Sequence, residues 1–415
     1  MKRIYRIKGC ISFLLTFVMI TSLFSFEISA EDRAPISLPH ESDEAMYDLF
    51  GGGLEETANA LELNGVSAVL LEAETGTVLY EKNADEALPP ASVTKIMTLL
   101  LVMEALDEGT ITMEDRVTVS AHAASMGGSQ VFLEEGEEML LEDLLKSVVI
   151  ASANDAAVAL AEHVAGSEEA FVTRMNQRAA ELGAVSARFE NTNGLDDTAK
   201  DHVMSARDIA IISRALIAHK EILKYSSIWM DTIRNGAFGL TNTNRLVRFY
   251  PGCTGLKTGS TSKAGFCVSV TAEREGLSLI AVIMGAETRD ARNASATKLL
   301  DFGFANFALV RIPAGSVSEI PVKGGVKSLC RASYPEFSAV VRKSDKNNVQ
   351  FEATVVPMLA GAIEKGMNVG EVIYSCQGKS LGRTEVKADE SIERIGYKDL
   401  LIRFVRCVLL SRRAE

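Results

Sequence analysis

Ser92 and Lys95 lie three positions apart, directly before an apolar run. The stretch reads PPASVTKIM from Pro89 to Met97, and the run behind it has the three-and-four spacing of a helix. Side chains three positions apart share a helix face, so Lys95 can lie against Ser92. A neutral amine there could take the proton that an unaided serine hydroxyl holds at neutral pH. The pair therefore predicts nucleophilic catalysis, with amide N–H groups of the helix N-terminus near a developing oxyanion.

For Lys95 to act as a base, its pKa must fall, and burial together with a nearby second cation would lower it. Lys257 is the candidate cation, in the segment LKTGST. A strand that carries Lys257, Thr258 and Gly259 in this order can offer an ammonium and a hydroxyl to a carboxylate. The glycine permits another backbone to approach closely, because it has no side chain. We expect this strand to bind an anion beside Ser92.

Ser152 and Asn154 lie in the sequence SAND, between the helical patterns 140–150 and 156–164. In such a break, a hydroxyl and an amide can face a cleft. Taken alone, the segment is more often an ordinary helix cap than a site, and Lys-Thr-Gly alone is more often a solvated turn than a site. Neither motif is therefore evidence of a site by itself.

The order of the three segments is more informative than any one of them. The lysine of the first segment precedes Ser152 by 57 residues, and Asn154 precedes Lys257 by 103. Ser-x-x-Lys, a middle Ser-x-Asn and Lys-Thr-Gly occur in this order in serine β-lactamases and penicillin-binding proteins. Two further Ser-x-x-Lys sequences, at 260–263 and 295–298, follow Lys-Thr-Gly and begin no helix. We therefore assign the nucleophile to the first segment.

The elements around these segments predict an α+β chain. Apolar runs at 66–71 and 77–80 are separated by a Glu-Thr-Gly turn, and runs at 266–272 and 277–284 by EREG, which predicts two β-hairpins. Residues 290–307 have the spacing of a helix. Beyond a boundary near residue 312, short β-rich runs broken by Gly, Asn and Asp predict a small all-β module.

Residues 1–30 have the pattern of an export signal. Basic side chains precede an apolar stretch from Ile11 to Phe26, and small Ala30 suits cleavage before Glu31. A retained anchor is the alternative, although a helix needs about twenty residues to span a bilayer. Residues 31–60 are polar and acidic and are predicted to be a poorly ordered lead-in. We expect an exported protein.

Composition excludes two classes of function. The chain of 415 residues has a formal net charge of −12, and such an acidic protein lacks the basic surface that meets nucleic-acid phosphates. The six cysteines include no Cys-x-x-Cys, and the five histidines form no metal-ligand motif. We therefore predict no nucleic-acid partner, no metal and no cofactor.

The chain resembles the low-molecular-mass penicillin-binding proteins that act as D-alanyl-D-alanine carboxypeptidases. The three motifs carry the resemblance, with the longer strings MGGSQVFLEEGE, NTNGLD and AVIMGAETRDAR. It implies a β-lactamase/transpeptidase-like domain at 61–312, with an antiparallel sheet flanked by helices and a helical subdomain. A small all-β domain at 313–390 and an amphipathic helix at 391–415 would follow.

The resemblance also implies the catalytic roles. Ser92 would be the acyl-ester nucleophile and Lys95 its base. Ser152 would pass the proton to the leaving amine, and Asn154 would hold the amide of the substrate.

The same resemblance implies how the substrate is bound. Lys257 and Thr258 would bind the terminal carboxylate of D-alanine, with Gly259 between them and Ser260. The backbone N–H groups of the nucleophile and of Ser260 would form the oxyanion hole. Arg245 stands about where relatives keep an arginine, but the following loop is shorter, so its role stays open. The expected partners are peptidoglycan stem peptides, with β-lactam antibiotics as covalent inhibitors.

Two alternatives remain at this point. A class A β-lactamase needs a glutamate to activate the deacylating water, and Glu190 in FENTNGLDD is the candidate, although the expected neighbouring proline and leucine are absent. A non-catalytic peptidoglycan-binding scaffold is the other alternative, and the intact set of motifs argues against it. The substrate could be a pentapeptide or a cross-linked dimer.

The C-terminal stretch SIERIGYKDLLIRFVRCVLLSRRAE predicts attachment to a membrane surface. On a helix, Tyr397, Leu401 and Phe404 share one face, and arginines lie on the other side and beyond. The apolar run is too short to span a bilayer, whereas an in-plane helix with cationic flanks suits an anionic lipid surface. We expect a peripheral position on the outer face of the cytoplasmic membrane. A helix packed on the β module is the alternative.

Overall fold

The computed structural model describes residues 61–195 and 199–411, with only the backbone for 406–411. The predicted export signal and lead-in, residues 1–60, lie outside the described residues. The described chain has mixed helices and strands, and the α+β class predicted from the sequence is confirmed.

The first part of the chain forms a hairpin and then a group of helices. The hairpin has the predicted position, because its apolar runs flank a turn at Glu74–Gly76. A 3-10 turn at Ala91–Thr94 leads into the first helix. In order, the elements are β1 (Ser67–Glu72), β2 (Val78–Lys82), α1 (Lys95–Asp107), β3 (Arg116–Thr118), α2 (Ala121–Ala124), β4 (Glu138–Leu140), α3 (Leu141–Ile150), α4 (Asn154–Ala165), α5 (Glu168–Leu182), α6 (Ala206–Ala218) and α7 (Glu221–Ser226).

The chain then returns to the sheet. The next elements are β5 (Met230–Ile233), β6 (Phe238–Thr241), α8 (Leu246–Phe249), β7 (Cys253–Thr261), β8 (Gly265–Arg274), β9 (Leu277–Ala286) and α9 (Arg289–Asn306). Five strands form an antiparallel sheet in the order β2-β1-β9-β8-β7. The strand that carries Lys-Thr-Gly therefore lies at one end of this order, where its outer edge can receive an extended peptide.

Both faces of this sheet are buried, because apolar side chains along each strand point alternately to its two sides. Val69 and Leu71 in β1 pack into the core formed with α1, α3, α4 and α6. Ala68 and Leu70 point the other way and pack into the core formed with α9. Because side chains alternate along a strand, one short apolar run serves both cores. Helix α1 lies in the first core, and its residues from Lys95 to Met103 are all buried.

A second, strand-rich part follows. Its elements are β10 (Phe307–Ile312), β11 (Gly315–Ser316), β12 (Ile320–Lys323), β13 (Leu329–Cys330), β14 (Ala332–Tyr334), β15 (Phe337–Arg342), β16 (Val349–Val355), β17 (Leu359–Ala360), β18 (Asn368–Cys376) and β19 (Lys379–Ala388). It has a separate core, in which the rings of Phe337 and Tyr374 stack with centroids 3.8 Å apart. The predicted domain limits stay predictions. Paired backbone continues past residue 390, since Ile363 pairs with Ile392.

The last element is helix α10 (Tyr397–Ser411). Its apolar side chains from Tyr397 to Val405 are exposed, including the described residues of the predicted apolar face. Arg403 donates to the carbonyl of Val326 in the strand-rich part. Within the residues that the structure describes, no helix is both long enough and apolar enough to cross a membrane.

Candidate active site

Ser92 lies in the 3-10 turn that precedes α1, and the α-helix itself begins at Lys95. Ala91, at the start of the turn, has a φ of 49°, a conformation that is unfavourable for a residue with a Cβ. The Thr94 hydroxyl donates to the carbonyl of Ala91 at 2.8 Å and helps to hold this shape. The sequence predicted the serine in the first helical turn. A 3-10 turn is tighter than an α-helical turn, but the side chains of Ser92 and Lys95 still lie on the same side of the helix.

The Nζ atom of Lys95 has three close polar neighbours. It lies 3.0 Å from Ser92 Oγ, 2.6 Å from Asn154 Oδ1 and 2.8 Å from the carbonyl oxygen of Asn193. A neutral amine has two N–H groups and one lone pair. Asn154 and Asn193 accept the two N–H groups, and the lone pair is then left for the hydroxyl proton of Ser92. The geometry fits an uncharged lysine poised as a base.

The surroundings of Lys95 also favour the uncharged form. Its side chain is fully buried, and burial lowers its pKa well below the ordinary lysine value. The nearby Lys257 ammonium lowers the pKa further, as the sequence predicted for a second cation, whereas Asp155 acts in the opposite direction. The Asp155 carboxylate is occupied by backbone N–H groups, including those of Val131 at 3.0 Å and Leu133 at 3.1 Å.

Ser152 and Asn154 project from the break between α3 and α4. Ser152 is buried with a φ of 64°, and its Oγ accepts a hydrogen bond from Lys257 Nζ at 2.7 Å. The Asn154 amide donates to the carbonyl of Gly127 at 2.7 Å while its oxygen faces Lys95. Asn154 therefore orients Lys95 in this structure. Its predicted contact with a substrate amide stays a prediction.

Strand β7 brings the Lys-Thr-Gly segment against the serine turn. Burial, and next the Arg292 guanidinium, lower the pKa of Lys257 to about 7. The Thr258 hydroxyl donates to Thr243 Oγ1 at 2.8 Å. A Cβ on Gly259 would lie only 2.8 Å from the backbone nitrogen of Ser92. Only glycine therefore lets β7 come this close, which places the Ser260 end of the strand beside the nucleophile.

The serine turn, Ser152 and the Thr258 end of β7 open into one cavity of about 540 Å³. Its wall contains the predicted residues Ser92, Ser152, Thr258, Gly259 and Ser260. Three arginines also line it: Arg245, Arg289 and Arg292. None of the described lining residues is acidic, so the cavity suits an anionic ligand. Arg245 is thus at the cavity, and its role in binding stays a prediction.

The loop before α6 contributes residues that the sequence analysis missed. Asn193 supplies its backbone carbonyl to Lys95. Gly194 has a φ of 82°, and a Cβ there would lie 1.9 Å from the carbonyl oxygen of Ala91. The string NTNGLD marked this loop as part of the resemblance, but a backbone carbonyl leaves no residue-type signal in a sequence.

His202, on the same loop, was also missed. Its Nδ1 accepts the backbone N–H of Glu190 at 3.2 Å, and its Nε2 lies 2.8 Å from Thr94 Oγ1. Burial is the main cause that lowers its pKa to about 4. A neutral His202 thus links the loop to the serine turn.

The carboxylate of Glu190, the candidate for a β-lactamase base, binds backbone N–H groups of its own loop. Its carboxylate accepts the backbone N–H groups of Lys200 at 2.8 Å and Asp201 at 3.1 Å. It is not one of the described residues that line the cavity. The structure therefore gives no support to the β-lactamase alternative.

No cluster of three or more His, Cys, Asp or Glu side chains able to hold a metal occurs within 61–195 and 199–411. Four cysteines, Cys253, Cys267, Cys330 and Cys376, are free thiols.

The fold and the site define a class, the penicillin-recognising serine hydrolases with a β-lactamase/transpeptidase-like domain. The family pattern described as D-alanyl-D-alanine carboxypeptidase matches residues 54–288. The pattern described as penicillin-binding protein 5, C-terminal domain, matches residues 314–394. The chain belongs to the D-alanyl-D-alanine carboxypeptidase family. The resemblance and the enzyme class predicted from the sequence are confirmed.

Its relatives match over most of the chain. D-alanyl-D-alanine carboxypeptidase DacF of Bacillus subtilis (strain 168) is 43% identical over 344 residues, 81% of this chain and 88% of that protein. DacC of Escherichia coli (strain K12) is 33% identical over 367 residues, 83% of this chain and 88% of that protein.

Solved structures match as well. Penicillin-binding protein 5 from Haemophilus influenzae has a TM-score of 0.73 at 30% identity, covering 80% of this chain and 98% of its own. Penicillin-binding protein D2 from Listeria monocytogenes, in the ampicillin-bound form, has a TM-score of 0.55 at 34% identity and covers 59% of this chain and 99% of its own.

Proposed function

We propose that this protein removes the C-terminal D-alanine from peptidoglycan stem peptides that end in D-Ala-D-Ala, through an ester on Ser92. The observation that carries the proposal is the arrangement of Lys95, whose buried Nζ lies 3.0 Å from Ser92 Oγ with its other hydrogen-bonding partners supplied by uncharged oxygens. Such an amine can accept the hydroxyl proton as the serine attacks.

The proposed steps use the side chains described above. Ser92 Oγ attacks the carbonyl carbon between the two D-alanines, and its proton passes to Lys95. The negative oxygen of the tetrahedral intermediate is bound by the backbone N–H groups of Ser92 and Ser260. Ser152, hydrogen-bonded to Lys257, relays the proton held by Lys95 to the leaving amine, so that Lys95 is neutral again and the Ser152 hydroxyl is restored. The amide bond then breaks, D-alanine leaves, and water hydrolyses the Ser92 ester.

Selection of a C-terminal residue follows from charge. Lys257 and Thr258 would bind the free carboxylate of the last D-alanine, and the arginines of the cavity add positive potential. A carboxylate within reach of these cations is stabilised, whereas an amide at the same place is not. The arrangement favours removal of a terminal residue.

β-Lactams would acylate the same serine, because one small molecule carries both a ring carbonyl that the serine can attack and a separate carboxylate. The ampicillin-bound and cefotaxime-bound structures of the Listeria monocytogenes protein, 34% identical, support this part of the proposal.

Ser92→Ala tests the proposal. We expect it to abolish both D-alanine release from a synthetic D-Ala-D-Ala peptide and labelling by a fluorescent penicillin. Ser125→Ala, at an exposed serine away from the cavity, is the matched control and should keep both activities. Retention of either activity by Ser92→Ala would show that the nucleophile is another residue.

We further propose that the protein is exported and lies on the outer face of the cytoplasmic membrane, held by α10. The export pattern of residues 1–30 and the exposed apolar side chains of α10, such as Leu401 and Phe404, support this. Cationic flanks suit anionic lipid. The purified protein should sediment with anionic vesicles, and failure to do so would contradict the proposal.

A further inference from the structure

The peptide unit that joins Ala91 to Ser92 contains one of the two N–H groups proposed for the oxyanion hole. The Ala91 carbonyl and the Ser92 N–H belong to this planar unit, and in a trans peptide they point in opposite directions. The Ser92 nitrogen lies on the side of β7, since a Cβ on Gly259 would come within 2.8 Å of it. On the other side, the Thr94 hydroxyl donates to the Ala91 oxygen at 2.8 Å. A contact that fixes this carbonyl therefore also fixes the direction of the Ser92 N–H.

The backbone at Ala91 needs such a contact. A residue with a Cβ keeps a φ of 49° only where its surroundings enforce it. Relaxation of Ala91 toward a negative φ would reorient the carbonyl that follows and, with it, the Ser92 N–H. Gly194 closes the space around the carbonyl, since a Cβ there would lie 1.9 Å from the Ala91 oxygen and 2.7 Å from Thr94 Oγ1. Ala91 and Thr94 are both buried, so water does not replace the hydroxyl as the donor.

His202 determines which way the Thr94 hydroxyl points. Its Nδ1 accepts the backbone N–H of Glu190, so the hydrogen of the neutral ring lies on Nε2. Nε2 then donates to Thr94 Oγ1 at 2.8 Å, and the hydrogen of the threonine is left for the Ala91 carbonyl. The ring of Phe189 packs edge-on to the imidazole, with centroids 5.7 Å apart, and limits its rotation. Every donor in this row points toward Ala91, and hydrogen bonds in such a row strengthen one another.

We infer that Thr94 and His202 are positioning residues of the oxyanion hole, which hold the Ala91–Ser92 peptide unit so that the Ser92 N–H faces the developing oxyanion. The inference rests on the proposed function. Neither side chain is among the described residues that line the cavity, so both act on the reaction through the peptide unit. The bonds that form and break are unchanged: the N–H keeps its hydrogen and stabilises the negative oxygen of the tetrahedral intermediate.

Two substitutions of Thr94 separate positioning from packing. Thr94→Val keeps the shape of the side chain and loses the hydroxyl, whereas Thr94→Ser keeps the hydroxyl and loses a methyl group. We expect Thr94→Val to lower the second-order rate constant of acylation by penicillin at least ~10-fold, which is less than the loss of a whole oxyanion donor, about 10²–10³-fold. Thr94→Ser should stay near the wild-type rate. Thr271→Val is the matched control, because Thr271 is also fully buried and its hydroxyl accepts from Thr254 at 2.8 Å in β8.

The ester formed with a β-lactam gives a second readout, which packing alone would not move. Hydrogen bonds from the oxyanion hole lower the stretching frequency of the ester carbonyl, so a misdirected Ser92 N–H should raise it. The band is isolated by infrared difference spectroscopy with a penicillin labelled with ¹³C at the ring carbonyl. We expect a shift to higher frequency in Thr94→Val and no shift in Thr94→Ser or Thr271→Val.

His202 is tested through Thr94. His202→Gln should slow acylation less than Thr94→Val does, because the threonine hydroxyl can still reach the Ala91 carbonyl, and it should shift the ester band in the same direction. The double variant should be no slower than Thr94→Val alone, since His202 acts through that hydroxyl. Nitrogen-15 spectra of the histidine rings in the wild-type protein should place the hydrogen of His202 on Nε2. A hydrogen on Nδ1 would overturn the direction of the hydrogen bonds and the role of His202.

The outcomes separate the inference from the proposed function. A wild-type rate and an unshifted ester band in Thr94→Val would overturn the inference and leave the proposed function intact. Equal losses in Thr94→Val and Thr94→Ser would also overturn it, since packing would then explain both. If Thr94→Val does not fold, the ester band of His202→Gln decides, and an unshifted band counts against the inference. A wild-type protein that is neither acylated nor able to release D-alanine would overturn the proposed function, and the positioning role with it.

Discussion

Around Lys95, the described hydrogen-bond partners of Nζ are all uncharged oxygens. An ammonium would need three acceptors and would carry its charge into a fully buried place, whereas an amine needs two acceptors and one donor. Arginine at this position could not lose its proton at any working pH. Position 95 therefore requires a lysine because the side chain must be able to lose its proton. A positive charge alone is not sufficient.

Lys95→Arg should lower the rate of acylation by penicillin at least ~10²-fold, the low end for removal of a general base. The second-order rate constant of labelling measures the effect, and a thermal melt checks that the variant is folded. Acylation near the wild-type rate would show that position 95 supplies only charge.

Lys257 should set the pH at which Lys95 becomes active. Lys257 contributes to the lowered pKa of Lys95, so its removal raises that pKa. The base form of Lys95 is present above its pKa, and Lys257→Met should therefore move the acidic limb of the acylation profile to higher pH. Lys263→Met, at an exposed lysine near the same strand, is the control and should leave the limb in place. A limb that does not move would remove Lys257 from this role.

His202 should make the folded protein sensitive to acid. Its pKa is about 4 in the folded chain and about 6.5 in an unfolded one. Between these values the unfolded chain binds the proton more readily, so stability falls as pH falls from about 6.5 to 4, by about 3 kcal/mol at most. Urea unfolding of His202→Gln should show a smaller loss over this range than the wild-type protein. The control His163→Gln should show the wild-type loss, and equal losses in all three proteins would contradict the role of His202.

At the level of elements, the serine turn is shaped by the loop that precedes α6. The carbonyl of Ala91 faces Gly194 so closely that a Cβ would lie 1.9 Å from its oxygen. His202 and Thr94 form a second link between the same two segments. The loop therefore contacts the serine turn at Ala91 and Thr94, and its residue Asn193 also accepts a hydrogen bond from Lys95.

Gly194→Ala should destabilise the protein by about 3 kcal/mol or more, because a carbonyl in the core must move. It should also slow acylation, since the displaced carbonyl belongs to the residue before Ser92. Gly183→Ala is the matched control: its φ of 79° is similar, but no atom lies within 4 Å of the added Cβ. We expect about 1 kcal/mol from backbone strain alone there and normal acylation. Similar values for the two variants, from urea unfolding, would contradict the close contact.

The sequence predicted the regular elements well and the contacts between them poorly. The two hairpins and α1, α3, α4 and α9 follow from periodicity, which is local. The contact between Ser92 and Lys95 could be predicted as well, because side chains three positions apart lie on the same face of a helix. Asn193, in contrast, lies 98 residues from Lys95 and contributes a backbone carbonyl, so no local pattern reports it.

For the whole molecule, separate cores indicate that the strand-rich part and the catalytic part are stabilised largely by their own contacts. They meet where Val340 of β15 packs into the core formed with α9 and where Arg311 Nε contacts Glu74 Oε2 at 3.0 Å. The Listeria monocytogenes chain matches 59% of this chain over 99% of its own length. That solved structure therefore matches this chain over nearly its whole length without covering the remaining 41% of this chain.

The end of the strand-rich part determines how the membrane proposal must be tested. Ile392 is 1% exposed and pairs with Ile363, and the Ile395 N–H donates to the carbonyl of Gly324 at 2.8 Å. A truncation after residue 390 would remove this core residue and confuse unfolding with loss of an anchor. A truncation after Gly396 removes α10 and leaves these contacts in place.

The protein truncated after Gly396 should keep wild-type penicillin labelling and D-alanine release from a soluble peptide, because the catalytic cavity lies in another part of the chain. It should no longer sediment with anionic vesicles, because the proposed contact with lipid would be made by the exposed apolar side chains of α10. A full-length variant with Leu401 and Phe404 both changed to Ser keeps the length and charge of the helix and should lose vesicle binding as well. Sedimentation of either protein at the wild-type level would show that α10 is not the anchor, whereas loss of labelling would show that the helix stabilises the fold.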